Sequence, residues 1–250
     1  KRTYNAVMAK GERVIAISEF VADYARRVYA VTDNILRVIP RGVDIDRFDR
    51  AKVTPEQIHN LRRTWTITPD KPVILLPGRL TRWKGQTVFI EALTRMSHRN
   101  FQAVIVGSGS ADYRDEIQNL IAQHQLNDCV KIVDECRDMP AAFALSQLTV
   151  SASTRPEGFG RVIVEAQAMG CAVIATNHGG ACETVKDSET GWLVTPVDSA
   201  ALAAAISRFL EMPSEDRTRI SVNAAAYVRK NFTTALMTER TMRVYQEVLR

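Results

Sequence analysis

The stretch LTVSASTRPEGFGRVIVEAQAMG, residues 148–170, reads as a strand, a loop and a helix in direct succession. Leu148–Ser151 is a short apolar strand. Arg161–Met169 is helical, and Gly170 is a usual helix stop. Between them lies Arg155-Pro156-Glu157-Gly158-Phe159-Gly160. Glycines at 158 and 160 let a ligand approach the backbone closely. The free N–H groups at the start of the following helix point at such a ligand.

Strand and helix alternate on both sides of this unit. Short apolar runs at Val73–Leu76, Phe101–Val106, Val130–Val133, Ala172–Ala175 and Gly191–Val194 predict strands. Helical patterns separate them at Lys84–Met96, Asp112–His124 and Pro140–Ser146, with a short helix after Gly179-Gly180. Helices at Asp198–Glu211, Ser214–Arg229 and Thr233–Arg250 close the chain. Upstream, Val14–Ile17 and Ile35–Ile39 are strand-like, and Ser18 can cap a helix between them. A helix is predicted over Pro55–Thr64, with Pro55 suited to its first turn. The pattern predicts an α/β fold: a Rossmann-like parallel sheet with helices on both faces. Short, wholly apolar strands suit a sheet covered on both sides. In such sheets ligands bind at the carboxyl ends of the strands, so the loops after the strands carry the chemistry.

Composition sets the outer limits. The chain has 250 residues, 46% hydrophobic and 24% charged, an ordinary globular balance. A net charge of +5 suggests a phosphate-bearing partner. Its 33 basic residues are scattered among 28 acidic ones without an arginine-rich tract, so nucleic acid is not the expected partner. No apolar run is long enough for a membrane helix. The opening Lys1-Arg2-Thr3-Tyr4 carries no signal peptide and reads as the interior of a larger protein. Cys129, Cys136, Cys171 and Cys182 form no CxxC pair, which suits reduced thiols in the cytoplasm, with Cys171 a small core residue. The four histidines fall in no metal-binding spacing, and no metal is expected.

Three loops hold candidate binding residues. After Val73–Leu76, Gly78-Arg79 and Lys84-Gly85 place two cations about a helix start; Arg79 can fork onto phosphate oxygens and Lys84 supplies a point charge. Solvated basic residues at a turn would look the same. In the loop after Leu148–Ser151, Glu157 is followed eight residues later by Glu165. A carboxylate at 165, inside the helix, can accept two hydrogen bonds from a vicinal diol such as ribose. Alternatively, Glu157 is an acid favoured by the helix dipole and Glu165 a solvated helix residue. Asn177-His178-Gly179-Gly180-Ala181-Cys182-Glu183 is either a contact to phosphate or sugar or simply a tight turn. His178 shows no partner and reads as a surface residue. Converging on one cleft, these loops would supply cations for a diphosphate, a carboxylate for a ribose and another for sugar hydroxyls.

Glu157-Gly158-Phe159-Gly160 through Glu165-Ala166, then Gly179-Gly180 and Glu183, resembles the EGFG-x4-EA motif and the GG-x2-E turn of the retaining GT-B-fold glycosyltransferases known as glycosyl transferases group 1. Gly78-Arg79 to Lys84-Gly85 resembles that family's GR-x4-KG motif, and Gly191-Trp192-Leu193-Val194 its G-x-L-V strand. Ile39-Pro40-Arg41-Gly42-Val43-Asp44 is similar to its interdomain segment, with Arg41 where an asparagine is common.

The resemblance implies the C-terminal half of a two-domain fold. Residues 1–40 would be a remnant of the N-terminal domain and 41–70 the interdomain segment. Residues 71–230 would be the nucleotide-sugar-binding domain, and 231–250 a helix returning to the N-terminal domain. It implies that Gly78, Arg79 and Lys84 meet the donor diphosphate and that Glu165 holds the ribose. Glu157, with Gly158, Phe159, Gly160 and Arg161, would hold the sugar, and Val133 and Asp134 would lie near the base. Glu157, Arg79 and Lys84 are the expected catalytic set. The implied reaction is metal-independent hexosyl transfer with retention. It runs from a nucleotide-diphosphate sugar, without a further cofactor, to a glycan, lipid-linked or lipopolysaccharide-type acceptor. Location would be cytoplasmic, with peripheral association at the inner face of a membrane compatible. Acceptor contacts would come from the missing N-terminal domain, so the chain alone is expected to bind donor without turning it over. A non-catalytic nucleotide-binding module is the alternative. A Rossmann oxidoreductase ranks low, because Gly107-Ser108-Gly109 lacks the third glycine of GxGxxG.

Overall fold

A computed structural model describes residues 6–249. Residues 1–5 and Arg250, which belong to the expected segments 1–40 and 231–250, lie outside the described residues. Six parallel strands form the main sheet: β3 (Val73–Pro77), β4 (Gln102–Val106), β5 (Val130–Val133), β6 (Leu148–Ser151), β7 (Ala172–Thr176) and β8 (Trp192–Val194). Their spatial order is β5-β4-β3-β6-β7-β8. Every residue of β3, β4 and β7 is buried, as strands covered on both faces require.

The two faces divide by strand periodicity. Ile74 and Leu76 of β3, with Ala103 and Ile105 of β4, enter one core. Helices α3 (Gln86–Thr94), α4 (Ala111–Gln123) and α8 (Ser199–Glu211) cover that face. Val73, Leu75, Val104 and Val106 enter the opposite core. There α2 (Pro55–Thr64), α5 (Met139–Leu145), α6 (Arg161–Ala168), α7 (Ala181–Thr184) and α9 (Ser214–Asn231) pack. This is the predicted α/β architecture, a parallel sheet with helices on both faces.

From β3 the chain moves outward through β4 to β5, then returns to the other side of β3 as β6. Adjacent connections therefore leave in opposite directions at the β3–β6 boundary, which is where open α/β sheets form their ligand crevice. Pairing between β3 and β6 covers Ile74↔Leu148 and Leu75↔Thr149, whereas β3 and β4 stay paired to Pro77↔Val106. Pro77 has no N–H with which to prolong a ladder. The two central strands thus part at their carboxyl ends, below the loops that carry the motifs.

A smaller unit precedes the sheet. β1 (Val14–Ala16) pairs in parallel with β2 (Leu36–Val38) across α1 (Glu19–Tyr29). It has its own small core of Ala16, Ala22, Ala25, Val31 and Leu36. Ser18 caps α1 as predicted, its side chain accepting the Val21 N–H. Two strands alone are marginally stable, so ties to the rest of the chain matter. Val43 pairs with Thr233 where the chain leaves and re-enters the main body. From there α10 (Thr234–Val248) runs back, and Glu247 meets Arg37 at 2.6 Å and Arg13 at 3.1 Å. Among the described residues no helix is long and apolar enough to cross a membrane.

The structure departs from the predicted Lys84–Met96 helix at its start. A 3₁₀ turn spans Arg82–Lys84, Gly85 adopts φ 74°, and the helix begins at Gln86. The cause is close backbone approach: a Cβ on Gly85 would sit 1.8 Å from the Ala152 carbonyl oxygen, in the segment following β6. Gly85→Ala should therefore destabilise the fold by about 3 kcal/mol, combining left-handed strain with overpacking. Thermal unfolding checks this, and a wild-type midpoint would contradict the assigned contact.

Candidate functional site

The loops following β3 and β6 meet over the crevice and line a cleft of about 600 Å³. Its walls include Gly78, Arg79 and Lys84 from the first loop. Glu157, Gly158, Phe159, Gly160, Arg161 and Glu165 come from the second loop and α6. Nine of the eleven donor-binding residues expected from sequence are thus brought together. Val133 and Asp134 are not among the lining residues. They belong to the outer end of the sheet, where the Val133 carbonyl accepts the Gly107 N–H at 2.8 Å and Asp134 pairs with Arg114.

The two loops are joined by charge. Lys84 Nζ lies 2.8 Å from Glu157 Oε1, and the Ser153 hydroxyl donates to the same oxygen. Both charged side chains are largely withdrawn from water, with 15% and 19% exposure. The Lys84 ammonium also stands 4.6 Å from the centroid of the Trp83 ring, a cation–π distance. Arg79 is exposed, and its guanidinium has no acidic partner among the described residues. It is available to an anion in the cleft.

Glu165 is not a solvated helix residue. Its side chain is 14% exposed and accepts a hydrogen bond from Arg161 at 2.9 Å. Burial raises its carboxyl above the ordinary glutamate range, while Arg161 and, more weakly, Arg47 pull it back down. Arg161 itself is exposed. Gly160 supplies no side-chain cap to α6. The uncapped N–H groups of Arg161 and Val162 therefore leave a helix positive end at the cleft wall.

Sequence reasoning missed Arg41, Trp83, Ile17 and Val162 as lining residues. Arg41 joins Arg79, Lys84 and Arg161 as a fourth cation lining the cleft. The only signal was a basic residue just after Pro40, read above as a linker feature. His178 needs correction as well. It is half-buried, with Nε2 3.0 Å from the Thr176 hydroxyl. That hydroxyl donates to the Ser153 carbonyl at 2.9 Å, so Nε2 carries the hydrogen. Burial lowers the His178 pKa, opposed by the Ser153 carbonyl and the Glu157 charge.

The Gly179-Gly180 turn acts behind the cleft. Gly180 donates its N–H to the Glu157 carbonyl at 2.9 Å, and a Cβ there would fall 2.4 Å from the Phe159 Cα. Glycine is required because the two backbones touch. Phe159 is buried and packs edge-on against Phe232, 5.5 Å between centroids. Cys171 is the core residue expected, its thiol pushed up to about 11 by burial. Among the described residues no group of three or more His, Cys, Asp and Glu side chains is placed to hold a metal ion.

This geometry has known counterparts. Residues 57–227 match the profile of "Glycosyl transferases group 1", and residues 1–47 that of "Glycosyltransferase Family 4". A glycosyltransferase structure from Rickettsia africae aligns with a TM-score of 0.95 at 35% identity, covering 100% of this chain and 67% of that one. Anabaena Alr3699/HepE in complex with UDP and glucose aligns at 0.88 with 29% identity, covering 98% of this chain and 67% of that one. The putative glycosyltransferase YtcC of Bacillus subtilis is 27% identical over 246 residues, 94% of this chain and 60% of YtcC. The chain spans about half to three fifths of the length of the curated relatives it matches. The parallel six-stranded sheet, the crevice at its strand reversal and the residues 57–227 match place this chain in the glycosyl transferases group 1 family of GT-B glycosyltransferases.

Proposed function

We propose that this chain carries the donor site of an enzyme that moves a hexosyl group from a nucleotide-diphosphate sugar to a glycan, lipid-linked or lipopolysaccharide-type acceptor, with retention of configuration. The observation that carries this reading is the Lys84–Glu157 pair, which lines one cleft with exposed Arg79 and the uncapped start of α6. In the reaction the bond from the anomeric carbon to the diphosphate oxygen breaks and its electron pair leaves with the phosphate, while the acceptor hydroxyl oxygen bonds that carbon and its proton passes to the released diphosphate. Arg79, Lys84, Arg41 and the helix end neutralise that developing charge, the part a divalent cation plays elsewhere. We therefore propose a metal-independent reaction with no further cofactor. Glu157 and the loop amides at Gly158, Phe159 and Gly160 hold the sugar, and Glu165 accepts the ribose hydroxyls.

Two relatives support the substrate class by what they bind or use: HepE was crystallised with UDP-glucose, and a related mannosyltransferase of Corynebacterium glutamicum is GDP-mannose-dependent. The base is assigned to neither. We propose that acceptor contacts come from an N-terminal domain of the kind that the relatives' additional length supplies. Met242, Tyr245 and Leu249 at the end of the chain, with Ile15 of β1, are exposed apolar residues such a domain would cover. Peripheral attachment at the cytoplasmic face of a membrane would follow from a lipid-linked acceptor.

Calorimetry with UDP, GDP and ADP tests the reading. One of the three should bind without added metal, and chelator should leave its affinity unchanged. Lys84→Ala should weaken binding by about 1.5–3 kcal/mol, the range for a hydrogen bond to a charged group. Equal affinity in wild type, Arg79→Ala and Lys84→Ala would overturn the assignment.

Glu165 predicts a pH limb. The ionised carboxylate accepts from the diol, and the protonated form does so less well. Because burial raises its pKa, affinity should fall on acidification at a higher pH than an ordinary glutamate would produce. Glu165→Gln should bind weakly throughout and lack the part of the limb that belongs to this carboxyl. An identical pH profile in the variant would contradict the role.

A further inference from the structure

Glu183 does not line the cleft, yet its carboxylate reaches across the chain to α1. Oε2 accepts the N–H of Glu19 at 2.8 Å, and Oε1 accepts that of Phe20 at 2.9 Å. These are opening N–H groups of the helix, which have no partner within it. The next, from Val21, goes to the Ser18 hydroxyl at 3.1 Å. The same hydroxyl donates its proton to the Gly158 carbonyl at 2.5 Å. Ser18 has no exposed surface. Glu183 is itself held, its carbonyl accepting the Tyr227 hydroxyl at 3.0 Å and its N–H donating to Gly180 at 3.1 Å.

These bonds act on the loop through peptide geometry. In a trans peptide the carbonyl and the following N–H point in opposite directions. The Glu157 carbonyl is tied to Gly180, which fixes the Gly158 N–H. The Gly158 carbonyl is tied to Ser18, which fixes the Phe159 N–H. Consecutive peptide planes of the cleft loop are thus pinned from outside the cleft, one by the double-glycine turn and the other by the cap of α1. Ile17 backs the same point, since a Cβ on Gly158 would meet its Cδ1 at 3.3 Å.

We propose that Ser18 and Glu183 are positioning residues for the donor loop: Glu183 seats α1, and seated α1 presents the Ser18 hydroxyl that orients the Gly158–Phe159 peptide. This rests on the proposed donor site, in which the loop amides hold the sugar. The loss of either residue should therefore weaken a nucleotide-sugar more than its parent nucleotide, because only the former engages those amides.

The test uses the whole chain with Ser18→Ala, Ser18→Thr, Glu183→Gln and the Ser18→Ala/Glu183→Gln double variant. Amide hydrogen exchange at Gly158, Phe159 and Gly160 is read against the core strands β3 and β4. Affinities for UDP-glucose, GDP-mannose and ADP-glucose are compared with those for UDP, GDP and ADP. Ser18→Ala should speed exchange at Phe159 while β3 and β4 stay protected, and should weaken the bound nucleotide-sugar about tenfold. Glu183→Gln should speed exchange at Glu19 and Phe20 and, through them, at Phe159. The double variant should add little to Ser18→Ala, as expected of residues acting through one link. Ser18→Thr, which keeps the hydroxyl, should restore both readouts. Unchanged exchange at Phe159 in both single variants overturns the proposal, as does equal weakening of nucleotide and nucleotide-sugar. If the wild-type chain binds none of the six, the donor assignment fails, and the exchange arm alone decides whether the two residues hold the loop.

Discussion

The ion pair between Lys84 and Glu157 joins the two halves of the site, and much of the surrounding structure exists to place it. Lys84 belongs to the loop after β3 and Glu157 to the loop after β6, the neighbours between which the sheet reverses direction. Each charge is mostly withdrawn from water, a placement that is costly without a partner. The pair, the Ser153 hydroxyl and the Trp83 ring satisfy one another. In the proposed reaction an anion entering beside Lys84 would meet a cation already held in place, and little reorganisation would be needed as charge develops on the leaving diphosphate.

Support for this pair comes from close backbone contacts more than from side chains. Gly85 lets the first loop press against Ala152, and Gly180 lets the third loop lie on Phe159. The parting of β3 and β6 beyond Leu75↔Thr149 leaves room above. Phe159 anchors the second loop from below by packing on Phe232, where the chain turns back toward the small β1–β2 unit. Loop geometry, sheet topology and the return of the chain therefore converge on residues 157–160.

Most of the architecture was legible because the chain punctuates itself strongly. Val130–Val133 and Leu148–Ser151 are apolar runs with clear ends, and the structure has strands at those bounds. The Pro55–Thr64 helix was legible from Pro55, and it carries a capping box between Thr54 and Gln57. The cleft residues were legible as a set because their motifs fall in loops at the carboxyl ends of strands, here β3 and β6, which lie side by side in the sheet. What escaped was tertiary. The Thr176 hydroxyl that holds His178 reaches the Ser153 carbonyl only once β6 and β7 are side by side. Glu183 meets Glu19 across 164 residues. Arg41 looked like linker because its neighbours in sequence are linker. Val133 and Asp134 were placed by analogy alone, and in the structure they lie outside the cleft lining.

The central claim is that a nucleotide diphosphate is held at the reversal point by Lys84, Arg79 and the start of α6. Determining the structure with the tightest-binding of UDP, GDP and ADP tests it most directly. The account predicts phosphate oxygens within hydrogen-bonding distance of Lys84 Nζ, the Arg79 guanidinium and the N–H groups at 160–162, with the ribose hydroxyls on Glu165. A nucleotide whose phosphates lie away from Lys84 and from the start of α6 would contradict it.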